Sequence, residues 1–78
     1  MPLINVRLIE GVFTADQKRQ MAERLTDTLV SIEGENLRAA TTVIIDEVPS
    51  GCWAMGGRAL TTQDVIDMAA GKRPGRAA

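Results

Sequence analysis

The chain has 78 residues, 45% of them apolar and 24% charged, with a formal net charge of −1, which describes one small globular domain without a linker. It holds no His, no Tyr and a single Cys, so Ser-His and Cys-His nucleophile pairs, His-ligated metals, an intrachain disulfide and a thiolate zinc cluster are all excluded. Nine Lys and Arg against ten Asp and Glu offer no positive field to nucleic acid. No apolar run approaches the ~20 residues of a membrane span, and the start lacks a basic stretch leading into an apolar one; the expected partners therefore include neither nucleic acid nor membrane, and the expected location is cytoplasmic.

Residues 2–9 alternate, with Ile4, Val6 and Leu8 on one face and Leu3, Asn5, Arg7 and Ile9 on the other, which predicts a strand. Glu10-Gly11 ends it. Thr14-Ala15-Asp16-Gln17 has capping-box spacing, so a helix should begin at about Ala15. Its apolar stripe is expected to run through Met21, Leu25, Leu29 and Ile32, with Ala22 and Thr28 beside it. Gly34 should stop the helix, and Glu35 to Ala40 should return the chain toward a second strand over 41–48. That strand is β-branched and apolar on both faces at its centre, and the strand-helix-strand order predicts a right-handed crossover between parallel neighbours. Pro49-Ser50-Gly51 reads as a turn, Cys52 to Met55 as a short extended piece, and Gly56-Gly57 as the bend of a hairpin. Thr61 or Thr62 can cap a last short helix through Val65, Ile66 and Met68, stopped at Gly71. Residues 1–71 form the expected domain and 72–78 a solvated tail.

Chemistry must use groups other than the missing side chains. Pro2 follows Met1, the context in which an initiator Met is normally removed, and removal would leave a free secondary amine. An α-amino group titrates near 7.7–8.0, and an apolar site lowers that value toward neutrality by disfavouring the charged form. Such an amine is a competent general base at pH 7. Processing alone would also account for a Met-Pro start.

The ordered pattern around it is more specific. Pro2 opening a strand, Glu10-Gly11 closing it, a capped helix with Asp16-Gln17-Lys18, then Val43-Ile44-Ile45-Asp46-Glu47-Val48, Gly51-Cys52-Trp53 and Gly56-Gly57, together resemble the 4-oxalocrotonate tautomerase family over about residues 2–60. The resemblance implies an α+β fold: a β-α-β subunit with parallel strands, here with a C-terminal hairpin and a short extra helix, assembled as a hexamer or another homo-oligomer. It also implies Pro2 as catalytic base at subunit boundaries. The reaction would move a proton between the enol oxygen and a carbon of a 2-hydroxydienoate or other enolisable 2-oxo acid, without cofactor or metal. Self-association suits a chain that buries only ~60% of its unfolded surface when folded alone.

Two departures bear on the substrate. Family members acting on dicarboxylates usually carry Arg just after the Glu-Gly pair and early in the second strand, where Val12-Phe13 and Thr42 stand here. Another cation has to replace them: Arg7 first, to stabilise the developing oxyanion, with Arg38 and Arg58 as further substrate-binding candidates. Trp53 matches the family's aromatic wall. Ile9 shares the Arg7 face, and Thr42 and Asn5 are candidate donors to a substrate oxygen. Structural roles compete for each: ion pairs for the arginines, a hairpin anchor for Trp53, sheet packing for Asn5 and Thr42. Cys52 reads as a small hydrophobe rather than a nucleophile. Adjacent Asp46 and Glu47 point to opposite sides of a strand and cannot act as a carboxylate pair. Hydration or dehalogenation of an unsaturated acid by the same proline, and a catalytically lapsed oligomeric binding protein, remain the alternatives.

Overall fold

The computed structural model describes residues 1–72; the expected tail, beyond Lys72, lies outside them. The elements follow in the order β1 (Leu3–Ile9), α1 (Ala15–Glu33), a 3₁₀ segment (Glu35–Ala40), β2 (Thr42–Val48), β3 (Trp53–Met55), β4 (Arg58–Leu60) and α2 (Thr62–Ala69). Two compact units result, Met1–Arg7 with Phe13–Asp46, and Leu8–Val12 with the described residues from Glu47 onward.

In the first unit β1 and β2 pair directly. Thr42 N–H donates to Pro2 O at 3.1 Å, which sets Leu3 beside Thr42, Asn5 beside Ile44 and Arg7 beside Asp46 in a parallel register. The bond from Glu10 N–H to Val48 O at 2.8 Å, in the second unit, fits the same offset. Alternation then does what the sequence predicts. Ile4, Val6, Val43 and Ile45 are half-buried, whereas Leu3, Asn5, Arg7, Thr42, Ile44 and Asp46 are exposed.

Thr14 caps α1 as its spacing predicts: its hydroxyl accepts from Gln17 N–H at 3.1 Å, and the Gln17 side chain accepts from Thr14 N–H at 2.9 Å. The covered stripe of α1 runs through Met21, Ala22, Leu25, Thr26, Leu29, Val30 and Glu33. Ile32 departs from expectation and is 80% exposed, because at the helix end the stripe turns inward at Val30 and Glu33, whose carboxylate accepts from Thr41 Oγ1. Gly34 ends the helix at φ 102°, ψ 151°, a conformation open essentially only to glycine, and its N–H caps Val30 O at 2.9 Å.

In the second unit β3 and β4 form an antiparallel hairpin with Trp53 opposite Leu60 and Met55 opposite Arg58. Gly56 and Gly57 at its tip both have positive φ, 59° and 80°, as a tight hairpin turn requires. Thr61, not Thr62, caps α2. Its hydroxyl accepts from Asp64 N–H at 3.1 Å while the buried Asp64 carboxylate accepts from Thr61 N–H at 2.9 Å. None of the described helices is long and apolar enough to cross a membrane.

Losing a capping hydroxyl typically costs about 1 kcal/mol. Thr14→Ala should therefore lower stability by about 1 kcal/mol in a denaturant titration at fixed protein concentration, whereas Thr14→Ser, which keeps the acceptor, should leave it near the parent value.

Candidate active site

Pro2 is half-buried at the entry to β1, and its carbonyl is pinned to β2 by the Thr42 N–H. Met1 before it is 96% exposed. While Met1 is attached, the Pro2 nitrogen is an amide without basicity; removing that open residue converts it to a secondary amine on an otherwise fixed backbone. Thr42 is thus brought to Pro2 through its backbone, with its side chain on the exposed face of the sheet beside Leu3.

Arg7 stands on that same exposed face, but Pro2 has the parity of the covered one. Five residue steps along the strand also put them about 17 Å apart. Within one chain the structure does not bring Arg7 to Pro2. Arg7 is nevertheless chemically available. Asp46, its neighbour in register, accepts instead from Asn5 Nδ2 at 3.0 Å, and Arg7 alone among the described arginines has no hydrogen-bond or ion-pair partner.

Arg38 is spent. Its guanidinium donates to Glu35 at 2.8 and 3.2 Å and to Asp27 at 2.8 Å. Hydrogen bonds to Glu35 first and Asp27 second raise its pKa above the ordinary arginine value, so it stays a cation with its donors already engaged. The depression beside it, about 430 Å³ and lined by Ala22, Glu23, Thr26, Asp27 and Arg38, contains no residue of the expected site besides Arg38 itself. Its carboxylates would repel an anionic substrate.

Ile9 has the predicted parity with Arg7 but not the predicted accessibility. At 4% exposure it belongs to the core of the second unit with Leu60 and Asp64, so it cannot line an open cleft of this chain. Trp53 is half-buried at the start of β3, and Arg58 opens β4 on the other side of the hairpin tip. Cys52, read from the sequence as a small hydrophobe, is exposed. Among the described residues no three metal-ligating side chains stand together.

The comparisons with known proteins agree on the family. The model for tautomerase enzymes matches residues 2–63. This chain belongs to the tautomerase family. It is 43% identical over 61 residues to the probable tautomerase K2 of Dickeya dadantii, covering 78% of this chain and 90% of that protein. It is also 39% identical over 62 residues to a probable tautomerase of Helicobacter pylori, with 77% and 90% covered. Among solved structures it is similar to TomN, a 4-oxalocrotonate tautomerase homologue in the tomaymycin biosynthetic pathway, at 34% identity and a TM-score of 0.69 over 76% of this chain and 88% of that one. DmpI of Helicobacter pylori gives 38% identity and 0.66 over 76% and 95%. The chain is accordingly an isomerase-type enzyme with tautomerase activity, built on the β-α-β fold of the 4-oxalocrotonate tautomerase homologues.

The burial of Ile9 carries an expectation of its own. Removing one methyl from a packed core costs about 0.5–1.5 kcal/mol, so Ile9→Val should lower the unfolding free energy by that amount in a denaturant titration while leaving KM at the parent value; a changed KM with unchanged stability would return Ile9 to the substrate.

Proposed function

We propose that this tautomerase uses the Pro2 amine, freed by loss of Met1, as its general base and acid on an enolisable 2-oxo acid. The observation that carries the reading is the pinned Pro2 carbonyl next to a fully open Met1: the residue to be removed is accessible, and the residue that remains is held. The neutral amine takes the hydroxyl proton of a 2-hydroxydienoate. The oxygen electrons form the 2-oxo carbonyl, the conjugated double bond shifts, and the resulting ammonium returns the proton to carbon. Substrate and product are isomers, so no oxidant, reductant or cofactor is needed.

A cation must hold the carboxylate and the developing oxyanion, and Arg7 is the described arginine with no partner of its own. Because Arg7 and Pro2 of one chain lie on opposite sheet faces, the site is assembled between copies, with Arg7 reaching the Pro2 of a neighbour and Trp53 supplying an apolar wall. Thr42 and Arg58 border the substrate in this reading. Burial supports association: the buried hydrophobic residues of the described chain are Ile9, Val30 and Leu60, while Leu3 and Ile44 on the outer sheet face are 59% and 40% exposed. The proposed assembly is the hexamer that the family resemblance implies, working in the cytoplasm, where an exposed thiol such as Cys52 stays reduced.

Intact mass should show the protein from cells without Met1. General acid–base groups contribute about 10²–10⁴ in rate, so Pro2→Ala should lower kcat on a 2-hydroxydienoate or phenylenolpyruvate by about 100-fold or more. Retained Met1 with full turnover would overturn the mechanism. Arg7→Ala should raise KM while native mass spectrometry still reports the parent oligomer.

A further inference from the structure

Three segments of the second unit are joined by a closed ring of hydrogen bonds that the mechanism does not use. The Glu10 carboxylate, in the turn after β1, accepts from Ser50 N–H at 3.2 Å. Ser50 Oγ, in the turn after β2, accepts from Thr62 N–H at 2.9 Å. Thr62 Oγ1, in the first turn of α2, donates to Glu10 O at 2.6 Å and closes the ring. The backbone N–H of Glu10 is held as well, by Val48 O. Gly11 is fitted to this arrangement: its φ is +81°, and a Cβ there would stand 3.0 Å from Thr62 Cγ2.

The placement of the ring matters more than its bond count. Ser50 lies three residues before β3 and Thr62 two residues after β4, so their bond ties together the open end of the β3–β4 hairpin. The bond from Gly51 N–H to Leu60 O at 2.9 Å lies just inside that tie, and Cys52 N–H to Pro49 O at 2.9 Å closes the turn that carries Ser50. Glu10 then anchors both sides of it to the turn after β1. A three-residue strand pair with a Gly-Gly tip is marginal by itself, so its geometry depends on what holds the open end.

We propose that Glu10, Ser50 and Thr62 are positioning residues, a latch that sets the hairpin and with it Trp53 and Arg58. The latch stands on this geometry alone; its effect on turnover rests on the reading of Trp53 as a substrate wall. Thr62→Val keeps the shape but loses the donor, whereas Thr62→Ser keeps the donor. With one Trp and no Tyr in the chain, intrinsic emission reports Trp53 directly. In the full-length protein, Thr62→Val should red-shift that emission and lose protection from acrylamide, and Thr62→Ser should restore the parent spectrum. Ser50→Ala should reproduce the Thr62→Val change, and the double variant should add little to either, as members of one network do. Parent-like emission in Thr62→Val, or a Thr62→Ser variant as perturbed as it, overturns the latch. Should Thr62→Val not fold, amide exchange in the parent protein decides: the Ser50 and Thr62 amides should exchange at least roughly fivefold more slowly than those of Gly56 and Gly57, the factor one net hydrogen bond supplies, and equal rates overturn it. A variant with perturbed Trp53 emission but unchanged KM supports the latch and removes Trp53 from the substrate, which separates this inference from the functional reading.

Discussion

A parallel pair of strands has two faces, and the first unit of this chain has one long helix, enough to cover only one of them. That constraint organises the rest. Ile4, Val6, Val43 and Ile45 are half-buried together with the apolar stripe of α1, and the opposite face is left to solvent. On that face the chain carries a mixed row of Leu3, Asn5 and Arg7 beside Thr42, Ile44 and Asp46. A face of this kind is too apolar for open water and too polar for a core, and the polar positions on it become available for chemistry.

The charges follow from the same geometry. In register, Arg7 and Asp46 are neighbours and would be expected to pair; the Asn5 amide takes Asp46 instead. Arg19, Arg24 and Arg38 are engaged locally by Asp16, Gln20, and Glu35 with Asp27. Exposed pairs of this kind contribute little to stability, but they do determine which cations are free to meet an anion. A tautomerase needs one, because an oxyanion develops as the proton leaves, and electrostatic stabilisation at that atom is commonly the largest contribution to such catalysis.

The second unit solves a different problem. Its strands are three residues long and its last helix spans Thr62–Ala69, so neither element is stable from propensity alone. Side-chain bonds at turns and caps take the place of buried area. Thr61 and Asp64 cap α2 reciprocally, and Thr62 and Ser50 close on Glu10. Two adjacent threonines thus divide two tasks, one terminating a helix and the other joining turns, a division invisible in the dipeptide itself because both have the same donors and acceptors.

Much of the fold was legible because local rules decide it. The alternation of residues 3–9, the Thr14–Gln17 capping box, the helix stop at Gly34 and the Gly56–Gly57 bend each depend on neighbours a few residues away, and each stands where its spacing predicts. The order of those signals was also sufficient to indicate the family. Burial was less legible. Ile9 and Ile32 follow their periodicities, yet one is buried and the other open, since periodicity assigns a face without saying where the covering element ends. Pairing among charges was beyond reach for the same reason. Sequence alone determined that catalysis must do without His, Tyr or a second Cys, and it pointed to Pro2 as the candidate base. Only the tertiary structure decided which cations are already engaged and which face of the β1–β2 pair is covered, leaving Arg7 on the open one, because those facts depend on strand register and long-range contacts that no local spacing encodes.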